Sequence, residues 1–110
     1  MLPQLQDVEV DNEERDDRTG AELQAEAEEY MQFISEQLKL ERSRRGIKQT
    51  EVSERAGRSK AWAGTVERNE NGDHAAAKLY ALAIGVDFAL IVARAEAAQS
   101  STRKTLVLLS

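Results

Sequence analysis

The 110-residue chain contains no cysteine, one histidine, one proline, and few aromatic residues: one Trp, two Tyr and two Phe. Without cysteine there is neither a disulfide framework nor a thiolate metal site, and a lone His74 excludes most histidine-based zinc sites and paired-imidazole acid/base chemistry. The longest apolar stretches, residues 88–93 and 106–109, fall far short of the roughly 20 residues a membrane span needs. No apolar, signal-like segment stands at the start. A soluble, unanchored, cytoplasmic chain is therefore expected. No nucleophile–base pair or phosphate-cradling glycine loop is present, so no catalysis is expected. The acids of residues 7–12 have a calcium-loop flavour, but a central glycine is missing and Arg18 stands where the closing Glu belongs. Neither a metal nor a cofactor is expected. The length allows one small domain plus a tail.

The formal net charge of −5, taken as an average, argues against a polyanion partner, yet its distribution is uneven. Residues 1–29 hold eleven acids and two bases, a balance of −9, which leaves +4 for residues 30–110. Between Lys39 and Arg68, nine bases face four acids. A polyanion partner is plausible for that segment, with an acidic arm beside it. Residues 1–18 lack apolar periodicity and are expected to form a mobile acidic arm. Such an arm is open to three readings: a leader without a role, a segment that folds on a partner, or a competitor for the basic face.

Thr19 followed three residues later by Glu22 fits a capping box and predicts a helix from Ala21 to about Arg45. Leu23, Ala27, Tyr30, Ile34 and Leu38 give it one apolar stripe, and Gly46 ends it after a basic last turn. A second helix is expected over residues 49–56, stopping at Gly57. Ser59 can cap a third running to Arg68, and Asp73 can cap a fourth from His74 to Ile84, closed by Gly85.

The second and third of these helices are joined by a tight turn at Gly57, with Val52, Ala56, Ala63 and Val66 inward and small Ser53 where the helices touch. That is a helix-turn-helix pattern. The outer face of its second helix presents Arg58, Ser59, Lys60, Ala61, Trp62 and Thr65, a mixture suited to a DNA major groove. From about residue 34 to 86 the sequence resembles the Xre/Cro-type helix-turn-helix family, which includes phage repressors and the HigA- and HipB-type antitoxins. The matching residues are Arg42, Gly46, Gln49, Gly57, Ser59, Glu67 and Arg68, followed by the Leu79-to-Val86 ending of the fourth helix. The resemblance implies that Gln49 contacts backbone phosphate or braces the recognition helix, and that Arg42 pairs with Glu67. Lys48 replaces the usual Thr, so a hydroxyl cap is missing and an amine is free to reach a phosphate. Ala63 replaces a larger aliphatic residue, and Gly64 sits inside the recognition helix. Trp62 either touches sugar and base methyl groups or fills the space that Ala63 leaves.

Residues 88–94 and 105–109 are short, β-branched and apolar, and a polar segment joins them. Two strands, paired as a hairpin or separate, are expected there; continued helix over 87–98 is the competing reading, which periodicity over so short a run does not settle. As strands they resemble those appended by HigA- and HipB-type antitoxins, which implies dimerisation through Phe88, Leu90, Ile91, Val92, Leu106 and Leu108. The expected fold is thus a mostly α, lambda-repressor-like bundle of four to five helices with a C-terminal β-strand or hairpin.

The functional expectation is a homodimeric, sequence-specific repressor of double-stranded DNA on a palindromic operator. Arg58, Ser59, Lys60, Trp62 and Thr65 would meet base edges or nearby phosphates, and Lys48, Gln49, Arg45 and Arg68 would position the chain on the backbone. The resemblance makes it the autoregulating antitoxin of a toxin–antitoxin operon, with a toxin as possible partner. The alternatives are a phage or mobile-element repressor and, from another class, a protein-interaction module that kept the fold without binding DNA.

Overall fold

Five helices account for about three quarters of the backbone in a computed structural model that describes residues 17–70 and 73–109, with side chains as far as residue 104. The first, α1, spans Gly20–Arg44 and starts where the capping box predicts. The Glu22 backbone N–H donates to Thr19 Oγ1 at 3.2 Å while the Thr19 N–H donates to Glu22 Oε1 at 2.8 Å, so two orphan donors are satisfied reciprocally. Its C-terminal half buries Ile34, Ser35, Leu38 and Glu41. The predicted stripe is wetter at its start, where Leu23 and Ala27 are exposed.

Helix α2 spans Gln49–Arg55, α3 Trp62–Glu67 and α4 His74–Ile84. Gly57 ends α2 at φ +71°. There the Arg58 N–H reaches the Ser53 carbonyl at 2.9 Å and the Gly57 N–H reaches Glu54 at 3.0 Å. This paired closure needs the left-handed conformation that glycine adopts without a steric penalty. Asn69, at φ 54°, closes α3 with the same pattern of bonds, to Val66 and Thr65. Asp73 caps α4 by accepting the Ala75 N–H at 2.9 Å.

Helix α3 begins later than expected. Ser59 does not cap it; its carbonyl accepts the Trp62 N–H at 3.0 Å in a turn that precedes the helix. The cap comes from α2 instead. Ser53, fully buried, accepts the Ala63 N–H on its hydroxyl at 2.9 Å and donates to the Lys60 carbonyl at 3.1 Å. Ser53→Ala should leave both groups without their partner. We expect it to cost about 1–3 kcal/mol in urea unfolding, with an unchanged slope against denaturant.

The largest correction concerns the C-terminal segment. Phe88–Leu109 is one helix, α5, and there is no strand among the described residues. Asp87 opens it: its carboxylate accepts the Ala89 N–H at 3.0 Å, and its carbonyl accepts from Leu90 and Ile91. The stretch is alanine-rich, and Ile91, Ala95 and Gln99, four residues apart, form its buried face against the bundle. A strand would have put Phe88, Leu90 and Val92 on one side. In the helix Ile91 is fully buried, Phe88 and Val92 pack on the core edge, and Leu90 is 43 % exposed. Strand pairing of two protomers through Phe88, Leu90, Ile91 and Val92 is therefore ruled out. So is a strand at Leu106 and Leu108, whose backbone is helical and whose side chains lie outside the described residues.

Helix α5 runs antiparallel along α1. Arg94 bonds Glu41, while further along Gln99 Nε2 donates to the Glu26 carbonyl at 2.9 Å and Arg103 reaches the Glu26 carboxylate at 2.7 Å. One core joins all five helices: Ile34 and Leu38 of α1, Val52, Ala63, Val66, the α4 residues Ala77, Tyr80, Ala81 and Ile84, then Val86, Ile91 and Ala95. Residues 88–104 thus belong to the bundle rather than to an appended unit. The acidic arm expected over residues 1–18 falls almost wholly outside the described residues; of its last two, Arg18 pairs with Glu26.

Candidate nucleic-acid interface

A buried ionic cluster fixes how α2 and α3 sit on α1. Arg42, from the last turn of α1, contacts both oxygens of Glu67, with Nε–Oε2 2.6 Å and Nη2–Oε1 3.3 Å, and its Nη1 donates to the Ile47 carbonyl at 2.8 Å. Gln49 donates to Glu67 Oε1 at 2.8 Å, and the Tyr80 hydroxyl donates to Oε2. Burial alone would push the Glu67 carboxyl up. The hydrogen bonds from Arg42, Tyr80 and Gln49 outweigh it and hold the group below the ordinary carboxylate range. Burial, with the neighbouring Glu67 charge, pushes the Tyr80 phenol up. Four elements, α1, α2, α3 and α4, therefore meet on one carboxylate.

Around this anchor the first turn of α2 lies over the middle of α3. A side-chain carbon at Gly64 would meet Gln49 Oε1 at 3.5 Å, an ordinary contact, and the movable Arg68 guanidinium at 3.1 Å, so Gln49 of α2 lies directly over this buried position of α3. Gln49 takes the bracing role rather than standing free. At the other end of α3, the Arg58 guanidinium lies 6.0 Å from the Trp62 ring centroid, and that ring packs at 6.2 Å from Tyr80. Trp62 is half-buried against the core, beside fully buried Ala63, which favours the packing role over a wholly outward one.

The predicted positioning residues divide in two. Arg45 is engaged within the fold: Nε pairs with Glu41 at 3.0 Å and Nη1 donates to the Ile84 carbonyl at 3.0 Å, closing the end of α4. Arg68 pairs with Glu70 at 2.7 Å and stays 60 % exposed. Thr65 turns its hydroxyl back to the Trp62 carbonyl at 2.6 Å. By contrast Lys48, Arg58, Ser59 and Lys60 are exposed, and among the described residues Lys48, Arg58 and Lys60 make no ion pair. Lys48 also provides no side-chain cap for α2.

Sequence reasoning missed Tyr80, Ser53 in its capping role, and the Glu41 cluster, where Arg44, Arg45 and Arg94 surround one nearly buried carboxylate. The spacing of Glu41 to Arg44 and Arg45 was a readable signal for part of it. Nothing local pointed to Tyr80. No protein-family model, curated protein or solved structure matches the chain. Among the described residues, no single helix is long and apolar enough to cross a membrane, and no group of three or more acidic, histidine or cysteine side chains is placed to hold a metal ion.

Proposed function

We propose that this protein is a DNA-binding transcriptional regulator in which α2, the Gly57 turn and α3 form a helix-turn-helix. The observation that carries the reading is that exposed cations without an ion pair stand at both ends of α2 beside the α2–α3 turn. Arg42, Arg44, Arg45, Arg55, Arg68, Arg94 and Arg103 are bound to carboxylates of the fold, whereas Lys48, Arg58 and Lys60 stand exposed around α2 and α3, as Lys39, Lys78 and Lys104 do elsewhere on the described surface. Exposed cations beside a serine hydroxyl and a half-buried indole match what phosphate positioning and groove contact require. The ionic anchor at Glu67 would hold the short recognition helix in place before DNA arrives.

The resemblance of residues 34–86 supports the narrower reading, an antitoxin that represses its own operon as a homodimer on a palindromic site. The helical C-terminus removes the strand that favoured this branch over a phage-type repressor, so the toxin remains a partner to be sought by co-purification from the native cell.

Duplex fragments selected from a random pool test the DNA reading. Log affinity should fall linearly with log salt, with a slope near −0.9 per phosphate contact. Lys60→Ala should weaken binding by ~1–3 kcal/mol, unevenly across sequences, if Lys60 reads a base, and uniformly with a shallower salt slope if it meets phosphate. Absent or salt-independent binding would leave a protein-interaction module.

A further inference from the structure

We propose that the acidic segment of residues 1–16 docks in cis on the cationic face of Lys48, Arg58 and Lys60, so that the chain carries its own competitor for polyanions. The consequence for DNA rests on the function proposed above; the docking itself does not.

The charge bookkeeping points to this occupant. Residues 1–16 hold six acids, Asp7, Glu9, Asp11, Glu13, Glu14 and Asp16, against the single base Arg15. The remaining residues carry fourteen acids and fourteen Lys and Arg, so the whole net charge of −5 resides in the first sixteen. Of the four acids in the basic segment, Glu41, Glu51 and Glu67 hold arginines of the body, and Glu54 is exposed without an ion pair. Lys48, Arg58 and Lys60 make no ion pair among the described residues, and Arg58 and Lys60 stand together at the turn, where the Ser53 carbonyl accepts the Arg58 N–H and its hydroxyl donates to the Lys60 carbonyl.

The reach suffices. Ser35 Oγ donates to the Val66 carbonyl at 2.8 Å, which seats the last turn of α3 against the middle of α1. From Gly20 to Ser35 the helix climbs ~22 Å, whereas sixteen residues can span up to roughly 50 Å. The longest dimension of the protein is 53 Å. Pattern and chemistry also agree. Acids alternate with Val8 and Val10 in residues 7–11, so in extended form the carboxylates line one side at about 6.6–6.8 Å intervals. The valines would fall on the other, and the Trp62 indole beside Arg58 offers apolar surface close to the cations. A tether of this kind gives a local concentration on the order of millimolar, enough to make a weak ionic contact count.

Trp62 is the only tryptophan and lies at the proposed dock, so its emission reports occupancy without any DNA. The test compares the natural chain with a full-length variant in which the six acids of residues 1–16 become Asn or Gln. A synthetic peptide of residues 1–16 should shift Trp62 emission of the neutralised variant saturably. The shift should weaken as salt rises from about 50 to about 300 mM, and disappear in the variant that also carries Arg58→Ala and Lys60→Ala. The natural chain should respond about tenfold less, because its dock is already occupied. Neutralisation should also raise affinity for a duplex oligonucleotide by about tenfold. No emission change with the peptide overturns the proposal, even if DNA affinity rises, since that rise alone is long-range repulsion. Docking by the peptide with no DNA binding by either chain keeps the proposal and removes the DNA-binding function.

Discussion

Ile91→Ala should cost about 2–5 kcal/mol of stability, whereas its neighbour Leu90→Ala should stay within about 0.5 kcal/mol. Ile91 is fully buried with Ile34, Leu38, Tyr80 and Ala95 in the common core, and Leu90, about a third of a turn away on the same helix, is 43 % exposed. Removing a buried side chain forfeits both its transfer free energy and the contacts around the cavity it leaves. For a domain of this size the loss lowers Tm by roughly 10 °C or more. The pair also tests the phase of α5. A strand covered on both faces would place Leu90 with Phe88 and Val92 on one and Ile91 on the other, and would make the two losses similar. Removal of residues 88–110 follows the same logic: it strips Ile91 and Ala95 from the core and the Arg94 contact from Glu41. Thermal melts by circular dichroism should show a shortened chain without a cooperative transition, rather than a folded monomer.

The features that could be read from the sequence are those whose bonding partners lie within five residues. Thr19 with Glu22, Asp73 with Ala75, and the turns at Gly57 and Gly85 are local arrangements, and they set the ends of α1, α2 and α4 within a residue or so of expectation. Helix α5 was misread because Leu90, Ile91 and Val92 favour a strand by composition, while the deciding features are not compositional. One is the Asp87 cap; the other is burial of Ile91, Ala95 and Gln99 against α1, more than fifty residues earlier in the chain. An alanine and a glutamine are weak signals of a buried face until the partner helix is known. The start of α3 differs from expectation for a related reason: Ser53, ten residues away from Ala63, supplies the cap in place of Ser59. At the candidate site, the Arg42–Glu67 pair was legible through resemblance alone. That Gln49 and Tyr80 share its carboxylate follows from how α2 and α4 pack, which no spacing encodes.

Glu67→Ala should be the most damaging single change at the site, costing about 3–5 kcal/mol, because it strands the largely buried Arg42 guanidinium without its counter-charge. It also removes the shared acceptor of Gln49 and Tyr80, so the first turn of α2 and the core ring of α4 lose their common tie. The pH dependence follows from the direction of the shift. Glu67 is held below the ordinary carboxylate range in the folded protein, so its contribution is fully present above the unfolded-state value and is lost as pH falls through the lower folded value. Glu41, held down chiefly by its hydrogen bond from Arg45 and further by Arg94 and Arg44, behaves the same way. Acid should therefore unfold the protein progressively below about pH 4.5. Glu67→Gln should begin less stable and lose less on acidification, since the group that titrates is gone. The measurement is urea unfolding at a series of pH values from neutrality downwards. Equal slopes for the natural chain and Glu67→Gln would show that the Arg42–Glu67 cluster does not carry its charge in the folded state, and with it would go the account of how α3 is held ready on the bundle.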